Sequence, residues 1–439
     1  MTQIPLKKDK FGLWNLPGLV TRDPTSGRLV LDRSALPQAS ECIIFGRGSA
    51  AEHLANAIDR LSSPVLAVVG ASSSKSQGIQ DLLETIRETS SDIHIYKVHG
   101  CADHRAIKDG IEAVHKIAAN HVLVIGGGTT LDVGKAIAGL AHQEGRQDIA
   151  AFQRGKRTVD PAKALPWIAV PTTSGTGSES TNNAVIELGD EKKSIRNIPP
   201  PAMIIADPAL TDSLPLSHTI VSLVDAMSQV LEVITHEKAS PKIQALGIAG
   251  FLNLAEGTEA LIGATETEIT EHTRDVLSWG SLLMGMAFAH AGLGLAHGLV
   301  HFCIKCGLSH GHMVGILLAP GLWVQARQNP ETASRLARVQ QALTESKHED
   351  AFDVSFFQES ADPQQAQHKK LLTWLEDSVG RLFKRVGLYS SLREAGLSLT
   401  DLEWIASQEH ELGASFGIPR RRATTDELLD VLTRAFSDR

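Results

Sequence analysis

The chain has 439 residues, of which 42% are hydrophobic and 21% charged, and its formal net charge is −8. That length exceeds what one ordinary hydrophobic core serves, so two domains are expected. The acidic balance offers no basic surface for nucleic acid. No apolar run reaches membrane-spanning length, the polar N-terminal segment is unlike a signal peptide, and four cysteines do not make a disulfide framework. These features predict a cytoplasmic α/β protein.

The first half of the chain alternates short apolar runs with amphipathic segments, after residues 1–40, which show no clear period. Strands are predicted at 42–45, 65–69, 93–98 and 122–125, and helices at 50–61, 77–89 and 106–119. Strands that alternate with helices at this pitch predict a parallel, Rossmann-like sheet covered by helices on both faces.

A glycine-rich loop follows the strand at 122–125. Its sequence is GGGTTLDVGK (126–135), and a helix is predicted after it. Glycines let the backbone approach a ligand closely, and the N-terminus of a helix offers unpaired N–H groups to a phosphate. The spacing is not GxGxxG, and no lysine stands at the Walker position. A phosphate site is therefore one interpretation, and a tight turn without a ligand is the other.

A second loop of this kind follows the strand predicted at 167–170. It reads PTTSGTGSE (171–179), so hydroxyl groups and glycines gather at the carboxyl end of a strand, where open α/β sheets bind ligands. GxSxG is absent, which argues against a nucleophile elbow. Further short strands are predicted at 182–188 and 203–206, and the second ends at Asp207.

After about Pro215 the apolar positions recur at helical spacing and strand signals disappear. Helices are predicted at 222–235, 242–254, 273–291, 371–386, 399–408 and 425–436, and the polar segment 346–370 is predicted to be an exposed loop. The first of these helices places Asp225 and Gln229 four apart on one face. The predicted layout is an α/β domain at 1–214 followed by an all-α domain at 215–439.

Four histidines gather in the segment 297–312. His297 and His301 are four apart, so on a helix they share one face, and His310 and His312 flank a glycine. Imidazoles clustered beside small residues suggest metal binding or proton transfer. A histidine-rich core helix followed by a turn is the alternative.

Taken in order, these motifs resemble the iron-containing (group III) alcohol dehydrogenase family, within the dehydroquinate synthase-like superfamily. GGGTTLDVGKAIA (126–138) is similar to the family's GGGS-x-x-D-x-x-K loop, and PTTSGTGSE (171–179) to its PTT-x-G-[TS]-G-S-E segment. Asp207-Pro208, VDAMSQVLE (224–232) and the HGLVH…SHG stretch (297–311) fall in the family's order and spacing. The resemblance runs from about Ile43 to Phe436.

The resemblance implies an oxidoreductase that transfers hydride between a nicotinamide cofactor and an alcohol, aldehyde or ketone. Domain 1–214 would bind the dinucleotide, and domain 215–439 would bind the metal and the substrate. His301 or His297 would supply the proton. The candidate cofactor-binding positions are Gly46, Ser73, Lys75, Gly127, Gly128, Thr129, Asp132, Thr172, Thr173, Ser178 and Lys193. For Lys193, which follows Lys192 where the family has a lysine that reaches the cofactor, a solvated charge pair is the alternative.

The family holds a divalent metal, usually iron or zinc, by one aspartate and three histidines. The matching positions are Asp225, Gln229, His297 and His310, so glutamine stands where the family has a histidine. Because an amide oxygen is a weaker and harder donor than imidazole, we expect impaired or absent Fe²⁺ or Zn²⁺ binding, as in the related maleylacetate reductases, which work without metal. Asp225 with two histidines could still hold iron, and His312 is a further candidate ligand.

The resemblance also bears on the choice of cofactor. Family members that use NAD carry an aspartate just after the second strand, where its carboxylate repels a 2′-phosphate. The matching position here is Ala71, followed by Ser73, Ser74 and Lys75. We therefore expect NADP(H) to be preferred over NAD(H).

Two other functional classes remain open. A non-redox cyclase or lyase resembling dehydroquinate synthase would still bind the nucleotide and tolerate an altered ligand set. A catalytically silent binding or structural protein is the other class. The substrate is not named by the sequence. Two-domain proteins of this kind often form homodimers, but the sequence carries no interface signature.

Overall fold

The computed structural model describes residues 4–59, 64–89, 92–188, 191–265, 268–302, 307–354, 364–408 and 421–437. The chain forms two units. Arg22–Leu214 is the sheet unit, and Met1–Thr21 with Pro215–Arg439 is the helical unit. The chain passes from the sheet unit to the helical unit after Leu214, and segment 1–21 belongs with the helices and not with the sheet.

The strands of both units are β1 (Pro5–Lys8), β2 (Trp14–Asn15), β3 (Val20–Arg22), β4 (Leu29–Leu31), β5 (Cys42–Phe45), β6 (Val65–Gly70), β7 (Ile93–Val98), β8 (His121–Gly126), β9 (Trp167–Pro171), β10 (Ala184–Leu188), β11 (Glu191–Ile195), β12 (Met203–Ala206) and β13 (Ala351–Asp353). The helices are α1 (Ser49–Asp59), α2 (Gln77–Thr89), α3 (His104–Ile117), α4 (Gly128–Leu140), α5 (Ile149–Gln153), α6 (Leu216–Ile234), α7 (Pro241–Gly263), α8 (Glu271–Phe288), α9 (Leu295–Leu299), α10 (His310–Gln328), α11 (Pro330–Glu345), α12 (Gln364–Arg385), α13 (Leu399–Ala406) and α14 (Thr425–Phe436).

The sheet unit is built on six parallel strands in the order β5-β12-β9-β8-β6-β7. Strands β6 and β9 are buried along their whole length. Near-continuous apolar runs of this kind are typical of strands covered on both faces, which explains why the sequence shows no alternation there. The prediction of a parallel α/β sheet is confirmed.

The strand order reverses between β6 and β8. From β6 the chain continues to β7 on one side and then returns to β8 on the other. Val69 of β6 pairs with Ile125 of β8, so the carboxyl ends of the two strands lie next to each other. Open parallel sheets bind ligands at such a reversal, and the loops that begin at Ala71 and Gly127 follow these two ends.

Two sequence expectations about strands were incomplete. The strand expected at 182–188 is one arm of an antiparallel hairpin, β10–β11, in which Ile186 pairs with Lys193. Strand signals were also expected to end at Pro215, yet β13 lies within 346–370, which was predicted to be a loop. That segment also contains the start of α12 at Gln364.

Segment 1–21 joins the helical unit through specific contacts. Strand β1 pairs with β13 on one side and β2 on the other. The Trp14 backbone N–H donates to Asn253 Oδ1 at 3.0 Å, and its carbonyl oxygen accepts from Trp279 Nε1 at 2.9 Å. These bonds tie β2 to α7 and α8, which is why the expected assignment of residues 1–21 to the sheet domain was wrong.

Helix α7 is the long central helix of the helical unit. It packs on α8 where glycines face each other, since a Cβ on Gly280 would lie 2.9 Å from the Gly250 carbonyl oxygen. By length and composition α7 is long and apolar enough to cross a membrane, whereas the sequence was expected to hold no run of that length. Most of its residues are buried inside the unit, as in the core helix of a globular protein.

Candidate metal and cofactor sites

Helix α6 carries a buried row of polar side chains near its carboxyl-terminal end. Asp225, Gln229 and Glu232 are spaced by four and three residues, so they share one face, and all three are buried. Buried carboxylates are tolerated only when they are paired, hydrogen-bonded or bound to a metal. The partners of this row therefore decide what the site does.

His297, on α9, is held by Glu232. Its Nδ1 lies 2.6 Å from Glu232 Oε2, and Glu232 Oε1 accepts the Ala296 backbone N–H at 2.8 Å. A Cβ on Gly294 would stand 2.9 Å from Glu232 Oε1, so a side chain at position 294 would displace this carboxylate. The arrangement fixes the ring and leaves its Nε2 3.6 Å from Asp225 Oδ1.

His310 opens helix α10 and completes the group. Its Nε2 lies 3.8 Å from Asp225 Oδ1, and its ring centroid is 5.4 Å from that of His297. The next residue explains the closeness of α10 to α6, because a Cβ on Gly311 would lie 2.7 Å from the Val221 carbonyl oxygen and 3.1 Å from Asp225 Cβ.

The donor atoms of Asp225, His297 and His310 all lie within 4.8 Å of one another. In a tetrahedral site with bonds of about 2.1 Å, ligand atoms stand about 3.4 Å apart, close to the two distances measured from Asp225 Oδ1. His297 Nε2 is buried and has no hydrogen-bond partner among the described residues. A histidine that binds a metal through one ring nitrogen usually donates the N–H of its other ring nitrogen to a carboxylate, as His297 does to Glu232. The residues present thus fit a divalent cation.

Gln229 also lies beside these donor atoms, but it contacts Asp225 through its amide group and supplies no imidazole nitrogen. Its Nε2 donates to Asp225 Oδ2 at 3.0 Å, so the amide steadies the carboxylate. Its Oε1 is buried, and within the described parts of the chain it has no hydrogen-bond partner. The glutamine noted in the sequence therefore lies at the site and contacts a metal donor.

The electrostatics favour a positive charge beside these carboxylates. Burial by itself lowers the pKa of His297, but the nearby Glu232 and Asp225 carboxylates outweigh it and raise that pKa to about 9. In the metal-free protein His297 is therefore protonated at neutral pH, and a metal that binds there has to displace that proton.

The other two histidines of the segment 297–312 are His312 and His301, and neither is placed beside Asp225 by the described contacts. His312 is buried with Nε2 2.7 Å from the Tyr389 carbonyl oxygen, and its ring meets Phe383 edge-on at 4.7 Å. It is thus turned to other partners, and its suggestion as a further ligand is wrong for this structure. The backbone of His301 lies in a 3₁₀ turn, because α9 ends at Leu299. The side chain of His301 lies outside the described residues, so its role as proton donor stays a prediction.

In the sheet unit, the two glycine-rich loops pack against each other. A Cβ on Gly127 would lie 2.9 Å from Thr173 Cγ2, and one on Gly128 would lie 2.6 Å from Thr176 Cγ2. Gly127 is the N-cap residue of α4 and has no side chain to bond the first N–H groups of the helix. Thr129 is exposed in the first turn. This N-terminus stands at the reversal of strand order, where its N–H groups can meet an anion.

Behind these loops lies a buried polar network. Ser178 Oγ donates to Asp132 Oδ1 at 2.5 Å and accepts from Lys135 Nζ at 3.0 Å, while Asp132 Oδ2 accepts the Val185 N–H at 3.1 Å. Burial lowers the pKa of Lys135 and raises that of Glu179 to about 7. Asp132 and Ser178 thus bind each other and hold the loops in place, and their predicted contact with a cofactor stays a prediction.

The remaining predicted cofactor residues lie in other loops and strands of the sheet unit. The N–H of Gly46 donates to the Ala206 carbonyl oxygen at 3.2 Å, and that of Thr172 to the Gly126 carbonyl oxygen at 3.1 Å. Lys75 is exposed at the end of the short 3₁₀ turn Ser73–Lys75 after β6. Lys193 lies in β11. Their roles as cofactor contacts likewise stay predictions.

Glu232 is the residue that sequence reasoning missed. Its only signal is its place three residues after Gln229, as a charged residue on an apolar helix. Its importance depends on a contact with His297, sixty-five residues away in sequence, which no local pattern reports.

The fold and the site together define a member of the dehydroquinate synthase-like superfamily with a carboxylate and two histidines at a metal position. The family model described as "Iron-containing alcohol dehydrogenase" matches residues 40–208. The model described as "Fe-containing alcohol dehydrogenase family, C-terminal" matches residues 219–436. The chain therefore belongs to the iron-containing alcohol dehydrogenase family.

Individual relatives and solved structures are similar to a large part of the chain. The 1,3-propanediol dehydrogenase of Citrobacter freundii is 25% identical over 373 residues, which cover 82% of this chain and 88% of that protein. The NAD-dependent methanol dehydrogenase of Bacillus methanolicus is 28% identical over 272 residues, or 61% and 68% of the two chains. The solved alcohol dehydrogenase from Oenococcus oeni superposes with a TM-score of 0.75 at 22% identity, and the match covers 91% of this chain and 99% of that one.

Proposed function

We propose that this protein is an NAD(P)-dependent alcohol dehydrogenase that also works in reverse as a carbonyl reductase, with a metal centre held by three residues. The observation that carries the proposal is the grouping of the Asp225, His297 and His310 donor atoms, with Glu232 orienting His297. Relatives named as 1,3-propanediol and methanol dehydrogenases support short alcohols and their aldehydes as the substrate class.

In the reductive direction, hydride passes from the reduced nicotinamide to the carbonyl carbon, and a proton passes to the carbonyl oxygen. A bound Fe²⁺ or Zn²⁺ would supply a Lewis acid that polarises that oxygen. Asp225, His297 and His310 would hold the ion, and Glu232 keeps the proton of His297 on Nδ1 so that Nε2 faces it. We assign the proton transfer to His301, which follows His297 by four positions in the sequence.

For the cofactor, we propose that the pyrophosphate lies at the N-terminus of α4 and that NADP(H) is preferred. Ala71 follows β6 where a carboxylate would repel a 2′-phosphate, and the exposed Lys75 is near in sequence to pair with it. NAD(H) is the competing choice, since the relative from Bacillus methanolicus is named as NAD-dependent. The homodimer and the cytoplasmic location expected from the sequence also stay predictions.

The test is turnover followed at 340 nm with NADPH and NADH and a panel of short aldehydes. The protein is measured metal-depleted and after loading with Fe²⁺ or Zn²⁺. We expect turnover that requires the metal and that falls by orders of magnitude in Asp225→Asn, which removes a charged donor. Glu259→Gln is the matched control, because Glu259 is exposed and pairs only with Lys347 among the contacts of the described residues.

Two results would contradict the proposal. Absence of turnover with every aldehyde, cofactor and metal combination would argue against an alcohol dehydrogenase. Full turnover by Asp225→Asn, or by the metal-depleted protein, would argue against the metal centre while leaving the dehydrogenase activity in place.

A further inference from the structure

Gln229 is a buried amide whose two ends have different surroundings. Its Nε2 donates to Asp225 Oδ2 at 3.0 Å, while its Oε1 is buried without a hydrogen-bond partner in the described part of the chain. A buried carbonyl-type oxygen without a partner destabilises a fold, so its persistence beside metal donors points to a cation or a polar group that it would serve.

The orientation of the amide follows from the carboxylate beside it. If the Gln229 amide were turned over, its oxygen would face Asp225 Oδ2, and two acceptors would repel each other. The N–H donor therefore belongs next to Oδ2. That bond leaves Asp225 Oδ1 as the oxygen that lies 3.6 Å from His297 Nε2 and 3.8 Å from His310 Nε2.

We propose that Gln229 sets the metal selectivity of this centre, shifting it from Zn²⁺ toward Mn²⁺ and Fe²⁺. The inference rests on the metal centre put forward under Proposed function. Gln229 holds Asp225 through its N–H and offers its free amide oxygen as a neutral fourth donor. The donor set then has two nitrogens and two oxygens. Zn²⁺ favours nitrogen and sulfur donors, Mn²⁺ suits carboxylate and carbonyl oxygens, and two histidines with one carboxylate suit Fe²⁺.

Gln229→His and Gln229→Leu separate the two parts of the proposal. Histidine supplies a third imidazole, and leucine fills a similar volume with neither the donor nor the acceptor. Dissociation constants for Mn²⁺, Fe²⁺ and Zn²⁺ are measured anaerobically by competition with a fluorescent chelator, without cofactor or substrate. Mn²⁺ binding is also followed by electron paramagnetic resonance. Glu259→Gln is the control.

For Gln229→His we expect the preference for Zn²⁺ over Mn²⁺ to rise by about tenfold or more, because second-sphere and ligand changes at metal sites typically alter affinity by about 10–100-fold. For Gln229→Leu we expect the affinity for Mn²⁺ and Fe²⁺ to fall more than the affinity for Zn²⁺. Gln229→Glu, which keeps the size of the side chain, replaces Gln229→Leu if the latter does not fold. Its added negative charge should increase the affinity for all three ions.

Two results would overturn the role of Gln229 in selectivity. One is a ratio of Zn²⁺ to Mn²⁺ dissociation constants in Gln229→His that stays within twofold of wild type. The other is an equal loss of affinity for all three ions in Gln229→Leu. If the wild type binds none of the ions, the metal centre itself fails. If it binds them with ratios that the variants do not change, only the role of Gln229 fails.

Discussion

Replacing Glu232 by glutamine tests how the metal centre is oriented. Among the described residues, two donors point at the Glu232 carboxylate, namely the Ala296 backbone N–H at 2.8 Å and His297 Nδ1 at 2.6 Å. A glutamine has one acceptor oxygen, so one of the two donors must face an NH₂ group. A hydrogen bond to a charged group contributes about 1.5–3 kcal/mol, which corresponds to roughly 10–150-fold in a dissociation constant.

The pH of the measurement decides whether this loss is seen. Glu232 also helps to raise the pKa of His297 to about 9, so in the wild type a proton competes with the metal at pH 7. Glu232→Gln lowers that pKa and weakens the competition, which offsets part of the loss. At pH 9 the competition has largely ended, and the full effect should appear.

We therefore expect Glu232→Gln to bind Zn²⁺ about 10–100-fold more weakly than wild type at pH 9, with a smaller difference at pH 7. Chelator competition at both pH values measures this, and thermal unfolding checks that the variant is folded. Glu259→Gln should match the wild type throughout. Affinity within twofold of wild type at pH 9 would refute the orienting role of Glu232.

Three further changes follow from the same contacts. Zn²⁺ binding at pH 7 should release about one proton from His297, because a pKa of about 9 keeps the metal-free ring protonated, and the number released should fall as the pH passes 9. Calorimetry in buffers of different ionisation enthalpy measures the protons released. Zero release at pH 7 would contradict this prediction. Gly311→Ala should lower stability by about 1–3 kcal/mol and weaken metal binding, since its Cβ would crowd the Val221 carbonyl oxygen at 2.7 Å. In Gly380→Ala, where no atom of the described residues lies within 4 Å of the new Cβ, stability should hold or rise. Equal unfolding temperatures for the two variants would count against this interpretation. Lys75→Ala should raise the Michaelis constant for NADPH more than that for NADH, and an unchanged NADPH value would remove the proposed 2′-phosphate contact.

The parallel sheet could be predicted because its strands are uninterrupted apolar runs. Strand β11, with the sequence EKKSI, could not, because it carries no apolar run or clear alternation and forms only by pairing with β10. The pairing of β1 with β13 joins Leu6 to Phe352, and contacts this distant in sequence leave no local pattern. The assignment of residues 1–21 failed for the same reason.

The site was predictable to the extent that helical spacing and family motifs report it. Asp225, His297 and His310 came from the motifs, and the structure brings their donor atoms together. The expectation of weak or absent metal binding was drawn from the chemistry of Gln229 alone. Sequence could not show that its N–H holds Asp225 or that Glu232 holds His297, since both depend on side-chain positions in the packed helices.

Metal content and turnover measured on one sample test the metal centre most directly. The protein is purified anaerobically and loaded with Fe²⁺, Mn²⁺ or Zn²⁺. Bound metal and NAD(P)H oxidation are then followed together during titration with a chelator. We predict about one tightly bound ion per chain and a parallel loss of ion and activity, with Asp225→Asn lacking both. Undiminished turnover after the metal has been removed would contradict a catalytic metal at Asp225, His297 and His310.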